Sequence, residues 1–394
     1  MAVASALLLP ADHPIHRVQR TALGLGALGL AGCVAFGLAD PDQFLRSWLV
    51  AWYYCVGAAL GCLGVLMITH VTGGAWGASV RRVLEAGART LPLLALLFVP
   101  IALGLPRIYE WANPEAVRHD ELLQWKSLYL NVPFFLARTV LYFVIWITIT
   151  RVLTGWSLEQ DRTGDPRLLT KLEYLSRGGL VTLVLTMTFA AFDWTMSLQP
   201  HWYSTIYGVI FIGASGISAF SLAIVLTSLL VERPPVAGIV RVDQLHDLGK
   251  LLLGFVMLWA YFSLSQGLII YAANLPEEIT WYIARTSGGW QYLFMALALF
   301  QFAVPFLLLL SRPLKRSPSR VALVALLLLA IRYVDTFWVI MPAFQEAGHA
   351  HLAVHPLDLA ALLAVGGPWL WLFVRGLEGQ PLVPLRDPSL PVVP

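Results

Sequence analysis

Four ionisable residues fall inside long apolar stretches of this chain: Arg138, Asp193, Arg332 and Asp335. A charge at the centre of a bilayer costs about 2.5–3.5 kcal/mol on insertion scales, so such residues mark a packed or watered interior and are candidates for moving protons or ions. Arg332 and Asp335 are three apart and share a helix face. The other two extend polar stripes: Asn131, Arg138 and Tyr142 on one helical face, Thr182, Thr186 and Asp193 on another. A second group, His70, Glu85, His246, Asp247 and Lys250, stands at the ends of apolar stretches, where it could feed protons inward. Plainer readings exist for both groups. The first could be an ion-pair network that only fixes helix packing, and the second a solvated helix end with Asp247 near an N-terminus. Asp193 has no base on its own helix, and Arg138 is its nearest candidate by depth. The expectation is that Asp335 sits in an ion pair with Arg332, while Asp193 is the acid freer to exchange protons.

Other chemistries find little support. Haem b between helices needs paired histidines, and none of the nine histidines lies within a predicted span; His70, His201, His246 and His355 come closest. The expectation is no haem and no iron–sulfur cluster in this chain. His349, His351 and His355 have a spacing that a metal could use, but without cysteine they read as plain loop residues. Cys33, Cys55 and Cys62 form neither a CxxC pair nor a disulfide framework. Gly24, Gly26 and Gly29 spell GxGxxG inside an unbroken apolar run, with no strand before them, so the motif reads as close helix packing rather than a dinucleotide loop. Gly57 and Gly61 form GxxxG, again a contact face. The tail repeats PxxP from Pro381 to Pro394 and reads as an extended, weakly ordered segment lying along a partner subunit.

The elements that must position these residues follow from composition. Of 394 residues, 58% are hydrophobic and only 12% charged, and mean hydropathy is +0.72. That is half the charge of a soluble domain, which excludes a soluble enzyme or nucleic-acid binder. Windows of about 20 apolar residues give ten spans: 21–39, 44–69, 91–104, 128–153, 176–197, 203–231, 250–273, 288–311, 321–343 and 356–374. The third is short and borrows its start from 78–90, where Val80, Val83 and Leu84 have helical spacing. Residues 1–20 lack a basic n-region and do not read as a signal peptide. Nineteen Lys and Arg fall on the side of both termini against five on the other, so both termini are expected in the cytoplasm.

A repeat is also visible. Asp193 precedes Pro200 by seven residues and Asp335 precedes Pro342 by seven, in the aromatic strings FDWTMSLQP and VDTFWVIMP. Trp125 and Trp290 fall near the starts of spans four and eight. Four spans separate the copies, which makes the repeat parallel rather than inverted. The expected fold is all-α and integral to the membrane. Its ten transmembrane helices form two four-helix bundles (spans 2–5 in 44–202 and 6–9 in 203–343). Flanking helices at 21–43 and within 344–374 and a Pro-rich tail at 375–394 complete the division.

HVTGGAWG (70–77), YLNVPFFLAR (129–138), FAAFDWTMSLQPHWYSTIYG (189–208), the long string 246–282 and RYVDTFW (332–338) carry a resemblance. From about residue 44 to the tail the chain resembles the ActF-type subunits of bacterial alternative complex III, within the NrfD/PsrC-like membrane family. The resemblance implies a bacterial inner-membrane subunit of a quinol:electron-acceptor oxidoreductase. It also implies an accessory role, with quinone binding and proton conduction discussed for such subunits and no quinone ligand that can be carried over to a residue here. The implied partners are a homologous ActC-like membrane subunit, an iron–sulfur subunit, multihaem and monohaem cytochrome c subunits and a small ActD-like subunit. Two other classes stand beside it: a secondary transporter with a site between repeats, and a purely structural anchor.

Overall fold

The computed structural model describes residues 7–231, 236–237, 239–345 and 351–390. Among them, ten helices are long and apolar enough to cross a membrane, and the chain is an all-α, multi-pass membrane protein. The helices are α1 Ile15–Gly37, α2 Pro41–Thr72, α3 Ala75–Leu103, α4 Val132–Thr163, α5 Pro166–Trp194, α6 Tyr207–Val231, α7 Val242–Ala273, α8 Trp290–Leu310, α9 Pro318–Ile340 and α10 Pro356–Arg375. Each predicted span finds its helix. Several helices overrun the apolar window on the side of the termini: α4 continues to Thr163 and α7 begins at Val242. Backbone hydrogen bonding propagates a helix past the point where lipid stops requiring it, and His70 and His246 thereby lie in terminal turns rather than in loops.

Starts and stops are legible in the chain. Asp40, Asn131 and Asp165 cap α2, α4 and α5 by accepting from backbone N–H groups, each followed by a first-turn proline. α3 does borrow its start, running from Ala75 to Ala88, hitching at Arg89–Thr90 and resuming at Leu91. Pro92 and Pro100 each lack an N–H to donate, so the helix restarts with the proline in its first turn. α8 holds a π-helical stretch, Ala298–Ala303, just ahead of Pro305.

α2 and α6 are the most buried helices, and they pack on one another. A Cβ at Gly61 would lie 2.0 Å from the Ser215 carbonyl oxygen, and one at Gly57 would lie 3.1 Å from the Phe211 ring. The GxxxG reading therefore holds. Gly61→Leu is expected to lower the melting temperature by several degrees, since the obstacle is backbone and overpacking costs about 1–3 kcal/mol; a thermal melt in detergent checks it. The GxGxxG reading holds for two of its three glycines. Gly26 and Gly29 admit α10 at Pro368 and Ala364, whereas Gly24 faces open space. Helical geometry turns Gly24 away from the face that the other two share.

The tail corrects one expectation. Up to Leu390 it packs on its own chain: Leu382 N–H donates to Leu7 O at 3.1 Å, Arg81 meets Asp387 at 2.5 Å, and Gln160 donates to Arg386 O. Leu382, Val383 and Leu390 are buried. Pro residues exclude helix, but the leucines and valine between them still have apolar surface to cover. The tail and the N-terminal segment thus lie together at one end of the molecule.

Candidate functional site

At the end opposite the termini, Asp193 on α5 is fully buried and meets three donors. Arg138 of α4 approaches as a fork, Nε to Oδ2 at 2.9 Å and Nη2 to Oδ1 at 2.8 Å, and Tyr142 donates its hydroxyl to Oδ2 at 2.8 Å. The remaining guanidinium nitrogen donates to Tyr129 O, and the Tyr129 and Phe134 rings cover the cation at 3.8 and 4.3 Å. Arg138 as the partner of Asp193 is the pairing expected from depth. The expected freedom of Asp193 is not found: bidentate guanidinium geometry with a third donor closes the carboxylate off.

The polar stripe of α5 also divides. Thr186 accepts from Trp146 Nε1 at 2.8 Å, but Thr182 and Thr186 donate to backbone carbonyls of their own helix, at Gly178 and Thr182. Neither reaches Asp193. Asn131 serves as the α4 cap, accepting from Phe134 N–H at 2.9 Å.

Asp335 is the less enclosed acid. Its Oδ2 takes Arg332 Nη1 of its own helix, as the spacing implied, and Gln301 Nε2 of α8 at 3.2 Å. Both charges border a cavity of about 40 Å³ lined also by Tyr53 of α2, Tyr207 and Ala214 of α6, and Thr336. Arg332 Nε and Gln301 Oε1 are buried without a hydrogen-bond partner among the described residues. A space of this size admits water, although most of its lining is apolar. It is an order of magnitude below the ~300–1,000 Å³ of cofactor-sized sites, so a quinone ring does not fit there. From Ala214 a hydroxyl-bearing face of α6 continues through Ser218, Ser221 and Ser228 toward the end where the termini lie. The Ser221, Thr227 and Ser228 hydroxyls have no partner among the described residues.

At the terminal end, Glu85 is buried beside Arg82 at 2.5 Å, and Arg82 also pairs with Asp161 of α4 and donates to Ser157 at 3.2 Å. Leu385 of the tail donates its N–H to Asp161 Oδ1 at 3.0 Å, and Glu85 Oε1 lacks a partner among the described residues. Two acids share one guanidinium here. His70 stands apart, sharing a hydrogen bond with Ser176 of α5 at 3.0 Å. Asp247 and Lys250 form a surface pair at 2.9 Å, with His246 at 3.8 Å from Asp247, and no ion pair joins them to Glu85 among the described residues.

Sequence reasoning missed Gln301, Tyr53, Tyr207, the α6 serines, Arg82 and Asp161. Pro305 was the available signal for Gln301, because a proline inside a span loosens the turn before it. The serines at 215, 218 and 221 recur at helical spacing but vanish in the high hydropathy of α6. Asp161 lies in a polar extension of α4 beyond the apolar window, and Arg82 lies in the borrowed start of α3, outside the apolar window 91–104.

The remaining candidates are placed as follows. His201 meets Asp120 at 2.7 Å on the exposed face. The Leu123 backbone N–H, followed by that histidine, holds the Asp120 carboxyl below its usual range. His355 caps α10 through Leu357 N–H. His349 lies outside the described residues, and among those described no three His, Cys, Asp or Glu gather as a metal set. Trp125 is exposed while Trp290 is fully buried, so their matching positions do not bring matching surroundings. Arg285 lies in the connector Pro276–Thr286 and is buried with no ion pair among the described residues, and burial pushes its pKa down to about 9. It ties Gln199, Trp281 O and Val339 O together beneath a stack of Trp202 on Trp281. No protein-family model and no curated protein matches this chain.

Proposed function

We propose that this chain is a haem-free membrane subunit of a quinol-oxidising electron-transfer complex in a bacterial inner membrane, and that it conducts protons through the Asp335 cavity. The observation that carries the proton reading is the cavity itself. A carboxylate, a guanidinium and two phenols border space for water, and hydroxyls with no partner among the described residues lead along α6 toward a buried acid pair at the other end. The electron-transfer setting rests on the strings at 129–138, 189–208 and 332–338 that resemble alternative complex III subunits. In this reading haem and iron–sulfur clusters belong to partner subunits. The Asp335 cavity admits water but not a solute of substrate size, so it does not support a transporter site there.

Purification from native membranes tests the setting. The chain is expected to carry c-type haem absorbance with it through other subunits and to lose that absorbance when they are stripped away. A solitary chain, or a Soret band that stays with it, overturns the proposal. The proposed orientation puts both termini and the 154–175 segment in the cytoplasm, from the nineteen-to-five charge asymmetry. Cysteine probes should be labelled from outside at His351 and not at Asp165; the reverse pattern refutes it.

A further inference from the structure

A second recess, of about 320 Å³, opens between α3 and α4, lined by Arg89, Pro92, Ile147, Thr150, Arg151, Thr154, Gly155 and Leu158. Its shape follows from local chemistry. α3 hitches at Arg89–Thr90 before Pro92, and Gly155 leaves open space where a side chain would stand.

Two features point to an anionic guest. Arg89 and Arg151 are both exposed and make no ion pair or side-chain hydrogen bond among the described residues. They contrast with Arg81, Arg82 and Arg138, each held by a carboxylate. Thr150 is 3% exposed, lines the recess, and its hydroxyl has no partner among the described residues. No carboxylate lines the recess to offset the two guanidiniums.

The position names the kind of anion. The apolar run 91–103 begins just after Arg89, and the apolar run 132–150 ends just before Arg151. Both arginines therefore stand at one boundary of the hydrocarbon layer, with Pro92 and Ile147 on its apolar side. We infer that this recess binds the phosphate headgroup of an anionic phospholipid, with the acyl chains along Ile147 and α3. Guanidinium–phosphate pairs are charge-assisted and bidentate, and basic pockets between membrane helices at this depth take such headgroups. Free phosphate would gain only the polar half of the site, and a zwitterionic lipid brings a choline cation against two arginines. The inference does not depend on the proposed proton path.

Native mass spectrometry of the full-length chain in detergent, titrated with cardiolipin, phosphatidylglycerol, phosphatidylcholine or inorganic phosphate, tests it. Retention of cardiolipin and phosphatidylglycerol over phosphatidylcholine is expected, with phosphate failing to compete at equal concentration. Arg89→Gln and Arg151→Gln should each weaken anionic-lipid retention about tenfold, with an unchanged melting temperature in lipid-free detergent. Gly155→Leu keeps both charges and fills the recess, so it should weaken retention too. Equal retention by native protein and the double arginine variant overturns the inference. So does full competition by phosphate, or loss of a partner subunit from the double variant while lipid retention stays intact.

Discussion

Asp193→Asn is expected to be among the most damaging single substitutions in the chain. Removing the negative charge strands Arg138 under Tyr129 and Phe134, and the single amide oxygen left behind replaces two oxygens that served three donors. Breaking a buried pair costs about 3–5 kcal/mol, because the surviving charge stays desolvated. Folded yield, followed as the monodisperse fraction in detergent, should fall to a small residue of the native level. Arg138→Leu alone should do comparable harm. Combining Arg138→Leu with Asp193→Leu should recover much of the loss, since apolar replacement of a whole buried pair is often close to neutral. If Asp193→Asn accumulates like the native chain, the pair does not hold α4 to α5 in the way its geometry implies.

Asp335→Asn should behave differently. It retains an acceptor for Gln301, and water in the cavity can solvate Arg332, so the helices are expected to assemble with a smaller loss. What it removes is the carboxylate beside the cavity. Loss of one positioned proton-transfer group slows its step by about 10²–10⁴-fold. In sealed vesicles carrying the intact complex, proton release per electron should fall while the subunit remains incorporated. Thr182→Val serves as the control, because that hydroxyl is bonded to Gly178 O and does not reach either acid. Unchanged turnover and proton yield in Asp335→Asn would show the residue to be structural and end the proton-path proposal.

The contrast between the two acids shows where sequence reasoning stopped. Read along one helix, Asp335 is the paired acid and Asp193 the lone one, because only Arg332 is within a turn of either. Across helices the arrangement inverts: Asp193 collects three donors from α4, while Asp335 keeps one side toward a cavity. The depth argument did find Arg138. It could not give the fork geometry, which depends on how α4 and α5 rotate against each other.

The sequence by itself determined that the chain is all-α, crosses the membrane in ten helices, and packs Gly57, Gly61, Gly26 and Gly29 against neighbours. A bilayer forces every spanning backbone to satisfy its own hydrogen bonds, so apolar length is nearly sufficient to read a span, and small residues at helical spacing mark contact faces. Only the tertiary structure decided which polar groups meet. It gathered Tyr53, Tyr207 and Asp335 from three helices around one cavity, brought Gln301 of a fourth onto Asp335, folded the Pro-rich tail back onto Arg81 and Asp161, and set Arg89 and Arg151 on one recess. The physical reason is periodicity. Helical spacing reports which residues share a face of one helix, while the rotation and crossing of helices, set by side-chain packing, decide which faces share a site.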